Sequence, residues 1–239
     1  MSMDIGQRAH IPVIYEDNHL LVVIKPVNVP TQEDESGDPD LLTLLKEDLK
    51  QRHNKPGQVF LGLVHRLDRP AGGVMVFAKT SKSASRLSEQ IRTHQMKKIY
   101  YAVVHGRPNP ITASLQHYLI KDSATNMVKV ASSQSKDAKE ARLNYVTMGQ
   151  LEKFSLLSIN LQTGRPHQIR VQMSSIGCPL FGDQKYGASV NKPGQQLALW
   201  STMLSLTHPT SKETLTFSAL PPKEQPWNLW SESTYHREE

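Results

Sequence analysis

Residues 60–78 read FLGLVHRLDRPAGGVMVFA, two short apolar runs on either side of a polar, glycine-containing turn. The runs 60–64 and 74–78 are typical of buried strands, because they have the length of a strand and are bounded by turn residues. The turn places Asp68 between two arginines. Neighbouring positive charges favour an ionised carboxylate, which could then act as a nucleophile or a base. A surface loop with ordinary ion pairs is the alternative interpretation.

The rest of the chain predicts runs of strands with three helices between them. Helices are expected from Pro39 to about His53 with Asp38 as the N-cap, after a cap at Ser81, and from Pro166 to Ile176 with Gly177 as a left-handed stop. Further strands are expected in a hairpin over residues 11–26 and at 99–105, 115–120, 127–131, 141–148, 154–161, 197–206 and 214–219. This order predicts an α+β fold with a mixed, largely antiparallel sheet and a few flanking helices. We expect one domain over residues 11–220, an N-terminal extension over 1–10 and a C-terminal tail over 221–239.

The charge of the chain favours a polyanionic partner. It has 239 residues with 28 Lys and Arg against 22 Asp and Glu, a net charge of +6, and its pI is about 9.3. The segment 79–107 holds seven bases and one acid, an excess equal to that of the whole chain. We expect nucleic-acid contacts from its bases, among them Lys79, Lys82, Arg86, Arg92 and Lys98. A solvated helix face is the alternative.

Several classes of function are disfavoured by what the sequence lacks. The single cysteine, Cys178, excludes an intrachain disulfide framework and a cysteine-rich zinc module. No Walker loop, G-x-G-x-x-G, H-E-x-x-H or G-x-S-x-G motif occurs. The N-terminus shows no secretory signal and no segment suits a bilayer, so we expect a cytoplasmic protein without a membrane partner.

Two further segments carry groups suited to a site. Thr163-Gly164-Arg165-Pro166-His167-Gln168-Ile169-Arg170 lies at a predicted strand-to-helix junction, where free N–H groups and two arginines suit a phosphate or a buried carboxylate. Lys98-Ile99-Tyr100-Tyr101 begins a strand with a base and two aromatic residues. Because side chains alternate along a strand, only one of the two tyrosines can face a cleft that contains Asp68.

Together these segments resemble the RluA-type pseudouridine synthases. The resemblance rests on four motifs in order, His65-Arg66-Leu67-Asp68 with the following Gly73, Lys98-x-Tyr100, Thr163 to Arg170, and Gly182-Asp183-x-x-Tyr186-Gly187. It runs from about Val13 to Ala219. It implies a curved mixed sheet with a central RNA-binding cleft, and an isomerase that converts uridine to pseudouridine in rRNA or tRNA.

The resemblance also implies roles for individual residues. Asp68 matches the catalytic aspartate, Arg165 the arginine that pairs with it, and Tyr100 the tyrosine that packs on the target base. Arg66 matches the arginine that enters the RNA where the uridine is flipped out. Further RNA contacts are expected from His65, Arg69 and Arg170. The family needs no metal or organic cofactor, and we expect RNA as partner and a monomeric protein.

The sequence departs from the family pattern at two places. Ala71-Gly72 stands where many members have Thr-Ser, and Asn28 stands where a glycine is usual after Lys25-Pro26. Asparagine is one of the few residues that tolerates a left-handed conformation. A non-catalytic RNA-binding protein on the same fold is the main alternative, and a metal-dependent nuclease or hydrolase is disfavoured because acids are not clustered.

Overall fold

A computed structural model describes residues 11–235, which form one eleven-stranded mixed sheet flanked by helices. The strands are β1 Val13–Glu16, β2 Leu20–Lys25, β3 Gly62–Leu63, β4 Gly72–Ala78, β5 Lys97–His105, β6 Thr112–Asp122, β7 Met127–Ala131, β8 Lys139–Gln150, β9 Phe154–Leu161, β10 Leu199–Thr207 and β11 Thr214–Ser218. The helices are α1 Leu41–Arg52, α2 Ser81–Arg92, α3 Gln168–Ser175 and α4 Glu232–Tyr235, with a 3-10 turn at Trp227–Leu229.

The sheet runs in the order β1-β2-β4-β10-β5-β9-β8-β6-β7, with β3 paired to β4 and β11 to β10. Only β10 and β4 pair in parallel among the strands of residues 11–235; every other pair is antiparallel. The predicted α+β class and largely antiparallel sheet are therefore confirmed. The parallel pair matters for the site, because it places the start of β4, just after the Asp68 turn, beside β10 at the centre of the sheet.

Helices cover both faces of the β2–β4 part of the sheet. Leu41, Leu45 and Leu49 of α1 pack with Phe77 on one face, because they recur at the spacing of a helical stripe. Leu87 of α2 packs on the other face with the alternate residues of β2 and β4. Strands buried on both faces read as continuous apolar runs, which is the pattern of 74–78.

The C-terminal segment packs on the sheet. Trp227 and Tyr235 are buried in a cluster with Val103, Leu156 and Trp200. The hydroxyl group of Tyr235 donates to the carbonyl oxygen of Trp227 at 2.6 Å and fixes the turn. The predicted tail therefore covers the surface as far as residue 235, while the predicted extension over 1–10 lies outside the described residues.

The helix starts differ from the predicted ones by one or two residues. Asp40, not Asp38, caps α1 by accepting from the Thr43 N–H at 3.1 Å. Thr80, not Ser81, caps α2. The third helix begins at Gln168 after His167, which is left-handed (φ 49°). Such shifts are expected where several capping residues are adjacent, since each can serve. No helix in residues 11–235 is long and apolar enough to cross a bilayer.

Candidate active site

The loop that carries Asp68 is held from beneath by a buried lysine, Lys25. Its Nζ donates hydrogen bonds to three backbone carbonyl oxygens, those of Pro26 (3.0 Å), Arg69 (3.0 Å) and Ala71 (2.7 Å). Burial lowers the pKa of Lys25 to about 7, and the Asp68 charge opposes that shift. Because the ammonium spans both sides of the turn, it fixes the backbone that presents Asp68.

The departure at Ala71-Gly72 is matched by a large neighbour on the next strand. Gly72 lies opposite Trp200 in the parallel pair of β4 and β10. A Cβ at position 72 would lie 2.5 Å from Trp200 Cζ3. The indole therefore occupies the space that a serine side chain would need. The other departure, Asn28, adopts the predicted left-handed conformation (φ 64°).

Asp68 shares a guanidinium with a second carboxylate. Arg170 Nη1 donates to Asp68 Oδ2 at 3.1 Å. The same guanidinium makes two 2.8 Å hydrogen bonds to Asp183 through Nε and Nη2. The side chains of Arg170 and Asp183 are 6% and 0% exposed, whereas that of Asp68 is 25% exposed. Asp68 is thus the reachable member of a buried carboxylate–guanidinium–carboxylate arrangement.

The charges of this arrangement support one another. Burial opposes the charge of Arg170, but the Asp183 and Asp68 carboxylates together raise its pKa above the ordinary arginine value. Burial likewise opposes the charge of Asp183, and the Arg170 hydrogen bonds lower its pKa. A bidentate arginine–carboxylate pair is strong and directional. It therefore fixes the guanidinium that faces Asp68.

The predicted pairing of Arg165 with Asp68 is wrong. Arg165 Nε donates instead to the carbonyl oxygen of Glu140 on β8 at 2.8 Å. Arg165 precedes α3 and bonds to β8, while Arg170 falls in the first turn of α3 and faces Asp68. Arg165 still lines the same cleft, and its predicted catalytic role stays a prediction.

Tyr100 on β5 completes the group of side chains around Asp68. Its side chain is buried and lines the cleft. Burial and the nearby Asp68 charge raise its pKa, so the hydroxyl group is a neutral phenol at neutral pH. Tyr101 points to the other face, where its hydroxyl donates to the carbonyl oxygen of Tyr235 at 2.8 Å. The alternation predicted for the two tyrosines is confirmed.

These residues lie in a cleft of about 1060 Å³ with a strongly cationic lining. Three carboxylates line it, Glu33, Asp34 and Asp68. The seven Lys and Arg side chains in the lining are Arg66, Arg69, Lys98, Lys121, Arg165, Arg170 and Lys185. A cleft lined mainly by one sign of charge concentrates ligands of the opposite sign.

Residues 19–175 match the family model described as RNA pseudouridylate synthase. The chain belongs to this family. The resemblance deduced from the four motifs is therefore confirmed, and with it the activity class, since pseudouridine synthases are isomerases.

Relatives and solved structures agree with the family model. The chain is 32% identical over 225 residues to "Ribosomal large subunit pseudouridine synthase D" of Zymomonas mobilis, covering 89% of this chain and 69% of that protein. It is 29% identical over 235 residues to "tRNA pseudouridine synthase C" of Pectobacterium carotovorum, covering 90% and 60%. The chain thus spans about two thirds of the length of such curated relatives. The fold matches "Human RNA Pseudouridylate Synthase Domain Containing 4" with a TM-score of 0.75 at 24% identity over 89% of both chains.

Three residues of the first motif occupy different places in this pseudouridine synthase. Arg66 is exposed at the cleft. Arg69 is ion-paired with Asp38 and lies 3.8 Å from Asp34, so the acidic segment before α1 folds over it. His65 Nε2 accepts the Val76 N–H at 3.1 Å. His65 therefore anchors the end of the turn to β4.

Of the remaining cations predicted to contact RNA, Lys98 lines the cleft and four others lie outside its lining. Lys79 Nζ pairs with Glu16 at 2.7 Å. On α2, Arg92 pairs with Glu89, and Arg86 Nη1 donates to the carbonyl oxygen of Pro209 at 2.6 Å. Lys82 is exposed on the same helix. The structure groups none of the three α2 cations with Asp68, so their contact with RNA stays a prediction for a surface beyond the cleft.

Several site residues were not predicted in their roles. Lys25 and Asp183 position Asp68 and Arg170, and the sequence motifs that contain them indicated no role for either. Tyr186 lies with its ring 5.2 Å from the Arg170 Cζ, and its hydroxyl accepts the Val128 N–H. Two lysines, Lys121 and Lys185, reach the cleft from segments far apart in the chain. Lys185 lies within the Gly182–Gly187 motif, whereas no local pattern indicated Lys121.

No group of three or more His, Cys, Asp or Glu side chains suitable for a metal ion occurs within residues 11–235.

Proposed function

We propose that this pseudouridine synthase isomerises specific uridines in structured RNA, ribosomal or transfer RNA, with Asp68 as the catalytic carboxylate. The observation that carries the proposal is the pair between Asp68 and Arg170, with Arg170 fixed by Asp183, in a cation-lined cleft. The printed names of the relatives, one a ribosomal large subunit enzyme and one a tRNA enzyme, supply the two RNA classes.

The reaction needs little from the protein beyond one ionised carboxylate. The bond between uracil N1 and ribose C1′ breaks, a bond between C5 and C1′ forms, and the proton on C5 is replaced by one on N1. No water, oxidant or reductant is consumed. Asp68 can serve as a nucleophile or as a base at the sugar, and both routes require it to be charged. Arg170 holds this carboxylate in place by donating a hydrogen bond to its Oδ2 atom.

The target base must leave the helix stack to reach Asp68. Asp68 lies within the cleft, so a stacked uridine cannot contact it. Tyr100 lies close to Asp68, and as a neutral phenol it offers an aromatic face and a hydrogen-bond donor to the flipped uracil. Arg66 is exposed at the cleft, and it would enter the gap left in the RNA. A cytoplasmic location and a monomeric state stay predictions from the sequence.

Mapping of pseudouridines in total RNA tests the function. Cells with and without the gene are compared, and the missing sites are restored with the wild-type gene or with the Asp68→Asn variant. We expect one or more uridines in ribosomal or transfer RNA to lose the modification without the gene and to regain it only with the wild type. Identical maps would support the alternative of a non-catalytic RNA-binding protein.

A further inference from the structure

Lys98 is a buried cation in the cleft without a counter-charge. It lies on β5 two residues before Tyr100 and therefore on the same face of the strand. Lys98 is 7% exposed and lines the cleft. Within the described residues its ammonium group makes no hydrogen bond and no ion pair. A charge on a largely buried side chain is costly when nothing compensates it, and an anionic ligand in the cleft would supply the missing charge.

The other buried cations of the site are compensated by the protein itself. Lys25 has three carbonyl oxygens and Arg170 has two carboxylates. The neighbour His65 offers no negative charge: burial and the charge of Lys98 lower the pKa of His65 to about 3, so its ring is neutral. Among the described residues of the site, Lys98 is thus the buried cation that the fold leaves for a ligand.

Lys98 and Tyr100 lie on one face of β5, and Arg170 rather than Lys98 is the cation that contacts Asp68. Two residues along a strand span about 6.5 Å. A uracil that packs against Tyr100 beside Asp68 therefore leaves Lys98 to the part of the nucleotide beyond the base, which is the sugar–phosphate backbone.

Gly164 forms the other wall of this position. It is exposed at the cleft, and a Cβ added to it would lie 3.6 Å from the Lys98 Nζ. The absence of a side chain at position 164 leaves the ammonium open from this side.

We propose that the Lys98 ammonium, beneath Gly164, binds the phosphodiester group that flanks the flipped uridine. The proposal rests on the proposed function, because it takes the ligand of the cleft to be RNA. Of the anionic ligands, a phosphodiester fits because it is part of the same chain as the base, and the remaining cleft cations can bind neighbouring phosphates. Lys98 would then hold the target nucleotide in register with Asp68.

The test uses stem–loop RNAs that contain one unpaired uridine and one uncharged methylphosphonate at a chosen linkage. Binding is measured for the wild type, for Lys98→Met and for the control Lys97→Met. Lys97 is the exposed neighbour on β5, so its substitution removes the same charge outside the cleft. We expect the wild type to lose about ten-fold in affinity when one linkage beside the uridine is neutral, the size of one charge-assisted hydrogen bond. Lys98→Met should bind the charged RNA about ten-fold more weakly and show no further loss at that linkage, while Lys97→Met should behave as the wild type.

Two more measurements separate ligand binding from a structural role. The Tm of Lys98→Met should equal or exceed that of the wild type, because an uncompensated buried charge is removed. Gly164→Ala should weaken RNA binding without lowering the Tm, since its methyl group covers the ammonium. The proposal would be overturned if a methylphosphonate lowered the RNA affinity equally in the wild type and in Lys98→Met. It would also be overturned if no methylphosphonate linkage lowered the affinity of the wild type. The affinity loss at one neutral linkage could occur in the wild type and not in Lys98→Met although the protein makes no pseudouridine. That result would refute the proposed function and leave the phosphate site standing.

Discussion

At the scale of a single residue, a substitution of Asp68 should affect the isomerisation reaction and leave RNA affinity nearly unchanged. We expect Asp68→Asn to abolish isomerisation and to leave the Kd for RNA within a few-fold of the wild-type value, because phosphate contacts supply most of the affinity. A single-turnover assay for pseudouridine and a binding titration of the same RNA measure the two effects. Turnover at a few per cent of the wild-type rate would count against Asp68 as the catalytic group.

Arg170 and Arg165 provide a matched pair of substitutions. Arg170→Met leaves the Asp183 carboxylate buried without its partner and should lower the free energy of unfolding by about 3–5 kcal/mol, with loss of activity. Arg165→Met removes a single hydrogen bond to a backbone carbonyl and should cost about 1 kcal/mol. Denaturant unfolding of both variants measures the difference. Equal losses of unfolding free energy in the two variants would contradict a buried ion pair at Arg170.

The two arginines also show where prediction from sequence stops at this scale. The motifs located Asp68, Tyr100 and both arginines. Strand alternation allowed only one of Tyr100 and Tyr101 to face the cleft, and the resemblance indicated Tyr100. The resemblance assigned the contact with Asp68 to Arg165, whereas Arg170 makes it from the first turn of α3. Both arginines belong to the same motif at a strand-to-helix junction, so the motif alone does not decide which side chain reaches Asp68.

At the scale of elements, Glu16 joins β1 to α1 and to the end of β4. Its carboxylate contacts Lys79 at 2.7 Å, Arg52 at 2.8 Å and His53 at 2.8 Å. Although burial opposes its charge, these contacts lower the pKa of Glu16 from 4.5 to about 2. A lowered pKa in the folded state stabilises the fold above the unfolded value, and this stabilisation is lost as the pH falls from about 4.5 to 2.

We therefore expect Glu16→Gln to be less stable than the wild type at pH 7 by about 1 kcal/mol, since the Arg52 side chain is well exposed and solvent screens its charge. The difference should vanish near pH 2. Denaturant unfolding at a series of pH values measures it. A constant difference over the whole range would show that packing rather than charge joins these elements.

The packing of β4 against β10 predicts an effect of restoring the residue common in the family. Gly72→Ser places its Cβ against the Trp200 ring and should lower the free energy of unfolding by about 1–3 kcal/mol. In the Trp200→Leu background the same change should cost less, because the space is free. Thermal unfolding of the two single variants and the double variant measures the coupling. Additive changes in stability would mean that the Trp200 ring is not the reason why position 72 is a glycine.

At the scale of the whole molecule, the cationic cleft should dominate the salt dependence of RNA binding. Lys121→Gln combined with Lys185→Gln should reduce the slope of log K against log salt concentration by up to about 0.7 for each phosphate of single-stranded RNA that is no longer neutralised. Replacing Lys82, Arg86 and Arg92 by glutamine should change the slope less, because these three side chains lie outside the cleft lining. The reverse order would place the main RNA surface on α2.

The whole-molecule features were the least accessible from sequence. Composition and local patterns predicted the α+β class, the hairpin at the start of the sheet and most strands. They did not predict that Lys121 joins the cleft, or that the acids before α1 fold over Arg69. These arrangements arise from the order of strands in the sheet, which brings together segments that are distant in the chain.

The opposite orientations of Tyr100 and Tyr101 have a consequence for shortening the chain. Tyr100 faces the cleft, while the next residue of β5 holds the C-terminal segment through Tyr235. A proteolytic cut before Trp227 would remove the C-terminal segment from its packing on β5. The contact that is lost lies at Tyr101, the residue next to Tyr100. A shortened catalyst should therefore keep these last turns of the chain, because they hold in place the strand that carries Tyr100.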